Sequence, residues 1–185
     1  MESRVAQRYV KPLLSLAIEQ GALEQVHDDM KMFSKVCEEN RSFALMLKNP
    51  VIKHDTKREI LHKIFEGRVH KLTMSIFDII TRKNREPLLP FIAREFHNAY
   101  NTYKNIGKAS LKTSFAIDDE LRKEFQKIVG NITHTKDVEL LEHVDQDLIG
   151  GFILNIGDKQ IDASIRSKLK QLRVKLSDNP YIREI

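Results

Sequence analysis

The residues of this chain whose types could do chemistry are seven histidines, a single cysteine, the glycines around a short apolar run and a set of bases near the C-terminus. The histidines, His27, His54, His62, His70, His97, His134 and His143, are scattered, and no two stand four apart. Glu139 and His143 do, but in a strand-like stretch where that spacing does not converge as it would on a helix. A metal site needs three or four ligands together, so most of these read as surface histidines. Cys37 has no second thiol for a disulfide or a thiolate site and reads as a small buried hydrophobe. Gly150-Gly151 and Gly157 flank a strand, whereas a phosphate cradle places its glycines between a strand and a helix N-terminus. A close backbone approach and a turn explain them better. Asp162 could be a lone catalytic acid, but a carboxylate just ahead of Ser164 is favourable as a helix cap. The chain has no GxxxxGK[ST], GxSxG or HExxH. No catalytic residue, cofactor or metal is expected.

The bases Arg166, Lys168, Lys170, Arg173 and Lys175 follow one another with no acid between them. Such a face is solvated, or docks an acidic helix or a nucleic acid. The helix lacks the aromatics on which single-stranded binders stack bases. The net charge of +5 is unevenly spread. Residues 1–105 and 163–185 are net basic and residues 106–162 net acidic, so the chain is not a uniform polyanion binder.

These groups must be positioned by the elements the sequence implies. Six helical segments fill the first hundred residues. In the first, capped by Ser3 and ended by Gly21, Val5, Tyr9, Leu13, Leu16 and Ala17 share a face. In the second, Leu23, Val26, Met30, Phe33 and Cys37 form a narrow stripe suited to bundle packing. A short third helix follows Ser42 through Phe43 to Leu47, and Asn49-Pro50 stops it. A fourth starts at an Asp55 cap, places Ile60, Leu61, Ile64 and Phe65 inward and closes at Gly67. A fifth begins near His70, with Leu72, Ile76, Phe77, Ile79 and Ile80 inward. Pro87 suits the first turn of a sixth, with Leu89, Ile92, Phe96, Ala99 and Tyr103 on one side.

Near Gly107 the period changes. Ala109–Ile117 alternates as a strand, Asp118 caps a helix that Gly130 ends, and Val138–Val144 alternates again. Phe152–Ile156 and Lys159–Ile161 form a hairpin about Gly157-Asp158, and a last helix starts at Ser164 with Ile165, Leu169, Leu172 and Leu176 in phase. The fold class expected is mainly α: a six-helix bundle over 1–105, then a small α/β domain over 106–185. With 41% hydrophobic and 31% charged residues the chain should fold as a globular protein. No apolar run reaches the ~18 residues of a membrane span, and MESRVAQRYV lacks the apolar core of a signal peptide.

Four stretches resemble one family, the delta subunit of F-type ATP synthase, bacterial counterpart of the mitochondrial oligomycin-sensitivity-conferring protein. They are VAQRYVKPLLSLAIEQGALE (Val5–Glu24), FALMLKNPVI (Phe43–Ile52), KNREPLLPFIAREF (Lys83–Phe96) and DLIGGFILNIGDKQIDASIRSKLK (Asp147–Lys170), the last the most specific. The resemblance implies a non-catalytic stator connector. The helical domain would hold N-terminal segments of the alpha subunits, chiefly between its first and fifth helices, and the α/β domain would meet the C-terminal end of the stalk's b subunits. The joint would resist rotation of the head, coupling proton flow to ATP synthesis. The place implied is the cytoplasmic face of the bacterial plasma membrane, with membrane association only through the complex and no nucleic acid bound.

Carried onto this sequence, the groove falls on Tyr9, Leu13, Ile76, Ile79 and Ile80, and the stalk contacts on Arg166, Lys170 and Arg173. A helical RNA-binding factor is the alternative that the basic first domain leaves open. Two departures from the family pattern stand out. Pro12 replaces a usual alanine and predicts a bend or irregular turn over Arg8–Pro12. Asn155 occupies a usually basic position, removing any charge contact made there.

Overall fold

The computed structural model describes residues 2–135 and 137–177. The chain divides into two compact units between Tyr103 and Lys104. The described residues form eight α-helices and one four-stranded sheet.

The first unit holds α1 (Glu2–Glu19), α2 (Leu23–Glu39), α3 (Arg41–Lys48), α4 (His54–Phe65), α5 (Lys71–Arg82) and α6 (Leu89–Tyr103), with a single 3-10 turn, Glu86–Leu88, before α6. α6 packs on α1 and α2, and α5 packs on α4 and touches α1 and α2. The core is built on rings: Phe33, Phe43, Phe65 and Phe77 meet with centroids 4.9–6.2 Å apart, a spacing at which tilted aromatic pairs are favourable.

Helix ends follow local chemistry. Gly21 takes φ +63°, with Ala22 N–H on the Ala17 carbonyl and Gly21 N–H on Ile18. That is the double closure of a Schellman motif. The same pair recurs after α5, where Asn84 (φ +53°) donates to Thr81 and Arg85 donates to Ile80. Asparagine is the side chain that best tolerates this backbone in place of glycine.

Several expected details shift. Ser3 lies inside α1 rather than capping it, and Asp55 sits in the first turn of α4, whose cap position is Lys53. The buried stripe of α1 is Ala6, Val10, Leu13 and Ala17, while Val5 and Tyr9 are half-buried and Leu16 is exposed. α1 packs chiefly on α6, and the face buried there lies about one position from the expected one. On α6, Tyr100 is buried and Tyr103 is exposed. The Tyr100 ring stacks on His27 at 3.6 Å and its hydroxyl donates to Glu24 at 2.5 Å, so α2 selects it. Cys37 is half-buried, and burial pushes its thiol up to about 12. No irregular turn interrupts α1, which runs as one α-helix with Pro12 inside. Pro12 and Arg8 both lie on the exposed side, so the carbonyl that proline leaves without its helical donor faces solvent rather than the core.

The second unit contains β1 (Gly107–Thr113), α7 (Asp119–Thr133), β2 (Val138–Val144), β3 (Phe152–Ile156), β4 (Lys159–Asp162) and α8 (Ile165–Ser177). The sheet order is β2-β1-β3-β4, with β1 parallel to β2 and the other pairs antiparallel. α7 covers one face, where Ala109, Leu111, Leu154 and Ile156 meet Ile117, Phe125 and Val129. Asp118 caps α7, accepting from Leu121 N–H at 2.8 Å. Arg122 ties the helix to Glu142 of β2. β1 ends before Phe115 and Ile117 because its pairing with β2 stops at Thr113 opposite Val144. Gly130 does not end α7. It lies inside, where a Cβ would meet the Thr135 carbonyl at 3.0 Å, and the helix closes at His134 in the left-handed region. Gly157 takes φ +56° in the β3–β4 turn, as expected.

Candidate partner-binding surfaces

Of the groove residues, Leu13, Ile76 and Ile80 are buried core, Tyr9 is half-buried and Ile79 is 45% exposed. Ile79 therefore does not point inward as the apolar spacing suggested. Asp78 turns toward α4, where it accepts from Arg58 at 2.8 Å and meets His62 at 2.9 Å. At 100° per residue this puts Leu72, Ile76 and Ile79 on the opposite flank of α5. Arg85, just past α5, donates to the Tyr9 hydroxyl at 3.0 Å. That bond marks the flank of α1 facing the end of α5, and Leu16 is exposed two turns further along it. On these two helices Tyr9, Leu16 and Ile79 keep apolar surface accessible, while Leu13, Ile76 and Ile80 are buried.

The electrostatics beneath this surface is structural. Burial opposes the charge of Asp78, but the bonds from His62 and Arg58 outweigh it and hold the carboxyl below the usual range. Buried Asp29 of α2 accepts from His70 N–H and from Thr73 Oγ1, both at 2.7 Å, fixing the start of α5. Lys57 and Glu86 form an ion pair at 3.6 Å with both side chains 4% exposed, and Lys57 also donates to the Leu47 carbonyl. Neither partner was singled out by its sequence, although Lys57 stands in phase with Leu61 and Phe65.

His27 faces His97 across 2.8 Å. Burial, then Lys31 and His97, pull its pKa down to about 4. Between pH 6.5 and 4 the unfolded chain binds a proton at His27 that the folded chain refuses, so stability falls as pH drops through that window and gains nothing above it. Allowing for partial access of water, about 2 kcal/mol is lost there. Urea unfolding at pH 7 and pH 4.5 should show a smaller difference in His27→Gln than in the parent.

In the second unit, Gly150 and Gly151 bring the chain against the start of α8. Ile165 N–H donates to the Gly150 carbonyl at 3.0 Å and Ala163 N–H to Phe152 at 2.9 Å. Ser164 caps α8, its hydroxyl accepting from Ser167 N–H at 3.2 Å, and Asp162 orients that cap. Asp162 accepts from the Ser167 hydroxyl at 2.6 Å and from Ser164 N–H at 2.9 Å, which hold its carboxyl below the usual range. Arg166, Lys170 and Arg173 are all exposed on α8. An apolar hollow of about 380 Å³, lined by Phe115, Ile117, Leu121, Phe125, Ile128 and Phe152, was not foreseen, because Phe115 read as a strand residue. Among the described residues, no three His, Cys, Asp or Glu side chains are placed to hold a metal ion.

The profile of the family described as ATP synthase delta (OSCP) subunit matches residues 5–176. The chain is 36% identical to ATP synthase subunit delta of Amoebophilus asiaticus over 178 residues, covering 96% of this chain and 97% of the relative. It is 35% identical to the subunit of the same name from Cytophaga hutchinsonii over 177 residues, covering 96% of each. A chain of the Toxoplasma gondii mitochondrial ATP synthase hexamer shares the fold, with a TM-score of 0.74 at 19% identity, covering 97% of this chain and 98% of that one. These relatives leave the RNA-binding alternative without support. The chain belongs to the ATP synthase delta (OSCP) family, a non-catalytic stator component of F-type ATP synthase.

Proposed function

We propose that this subunit joins the alpha subunits of the catalytic head to the b subunits of the peripheral stalk. In this reading the six helices of the first unit act as one bundle and seat an alpha N-terminal segment against Tyr9, Leu13, Ile76, Ile79 and Ile80. The second unit meets the C-terminal end of the stalk, with Arg166, Lys170 and Arg173 supplying charge. Held at both ends, the connector opposes the torque on the head, and proton flow stays coupled to ATP synthesis. Its place is the cytoplasmic face of the bacterial inner membrane, reached through the complex. No described helix is long and apolar enough to cross a membrane.

The observation that supports the head contact is Ile79, an isoleucine left 45% exposed on the helix flank opposite Asp78. An exposed apolar side chain on a helix is the kind of contact that a docked amphipathic helix buries. Binding of a synthetic alpha N-terminal peptide to the full chain should weaken by more than about tenfold in Ile79→Asp, roughly 1.4 kcal/mol or more. The thermal midpoint should barely move, because the side chain is not core. Unchanged affinity with an unchanged midpoint would remove Ile79 from the interface.

A further inference from the structure

The four in-phase apolar residues of α8 are uncovered: Ile165, Leu169, Leu172 and Leu176 are 43%, 54%, 54% and 82% exposed. Their spacings of four, three and four residues are those of alternating d and a positions in a heptad. With Leu169 and Leu176 at a, and Ile165 and Leu172 at d, the flanking e positions are Arg166 and Arg173. The g positions are Lys168 and Lys175. Every e and g position in α8 is therefore basic.

We infer that α8 is one strand of a two-helix coiled coil whose other strand, from a different polypeptide, has an a/d apolar seam and acidic e and g positions. Two features select that occupant. The apolar stripe is confined to a and d, apart from Val174 at f, which is the narrow seam of a coiled coil rather than the broad face of a surface helix. It also has no aromatic residue of the kind that anchors helices at a lipid interface. Self-pairing is disfavoured in either orientation. Parallel strands set e against g and antiparallel strands set e against e and g against g, and each pairing here opposes bases. Lys170 falls at b, off the seam, so Lys168 and Lys175 matter more than Lys170. The inference rests on the stator reading only for who the partner is; the partner's chemistry follows from α8.

The test uses the full chain and two 21-residue helical peptides with leucine at a and d, one with glutamate and one with lysine at every e and g. In fluorescence anisotropy the glutamate peptide should bind at least about tenfold tighter than the lysine peptide, since like charges across a seam repel. Reversal of Arg166, Lys168, Arg173 and Lys175 to glutamate should invert the preference. Lys170→Glu should change it less than Lys168→Glu. All five side chains are exposed, so circular dichroism should be unchanged. Equal binding of the two peptides, or glutamate-peptide binding that survives Leu169→Asp/Leu172→Asp, would overturn the inference. So would binding to phosphatidylserine vesicles with none to either peptide. Loss of peptide preference while the stalk still co-purifies would sink this inference and leave the stator reading. Preference without co-purification would do the reverse.

Discussion

Glu86→Gln is expected to destabilise the helical unit by about 3–5 kcal/mol, because it strands the Lys57 ammonium without its counter-charge in the core. The pair is 3.6 Å apart, and each side chain is 4% exposed. For a unit of this size the thermal midpoint should fall by more than about 10 °C. A double variant, Lys57→Met/Glu86→Leu, should recover most of the loss, since removing both charges also removes the need to solvate them. Recovery should stop short of the parent, because the Leu47 carbonyl at the end of α3 also accepts from Lys57 Nζ at 3.1 Å and would lose that donor. Differential scanning calorimetry of the two variants and the parent decides the matter. A single variant that melts within a degree or two of the parent would mean that water reaches the pair.

This ion pair gives the Lys83–Phe96 stretch its physical meaning. Asn84 ends α5 in the left-handed conformation, the 3-10 turn Glu86–Leu88 follows, and Glu86 faces inward to Lys57. Turn and ion pair together fix where α6 begins, and hence where the α1 flank carrying Tyr9 can sit. The stretch thus places the candidate groove without lining it.

What was legible in the sequence follows from which forces act locally. Gly21, Gly67, Asp118 and the Gly157 turn were readable because backbone preference decides them within a few residues. The strand within Ala109–Ile117 was readable because alternate residues of Gly107–Thr113 are buried while Lys108, Ser110 and Lys112 are not, which imposes a period of two. The misplacements came where a partner decides. The α1 stripe turned because the packing of α6 on α1, and not apolarity alone, decides which face is buried. Tyr100 displaced Tyr103 because Glu24 and His27 lie within its reach. Ile79 read as core because periodicity reports apolarity and cannot tell a buried flank from one awaiting a ligand. Buried Lys57 and Asp29 were passed over because, by type, charged residues belong outside. Each breaks the pattern of its helix at an in-phase position, and that was the available signal.

The second large effect lies at the signature glycines. Gly151 takes φ +78°, and an added Cβ would collide with the carbonyl oxygen of Ala163. Backbone cannot yield as a flexible side chain can. Left-handed strain of about 1–2 kcal/mol adds to a clash of roughly 1–3 kcal/mol, so Gly151→Ala should cost the second unit about 3 kcal/mol. Gly157→Ala is the matched control. Its φ of +56° brings similar strain, but nothing lies within 4 Å of its Cβ, so only the strain should appear. Hydrogen exchange separates the two. In Gly151→Ala the amides of Ala163 and Ile165, bonded to Phe152 and Gly150, should exchange much faster, while those of α2 and α6 stay protected. In Gly157→Ala the two amides should change little. Equal exchange at Ala163 and Ile165 in both variants would show that the close approach does not hold the start of α8. The glycine pair would then be only a turn, and the seam of α8 would need another anchor to be presented at a fixed angle.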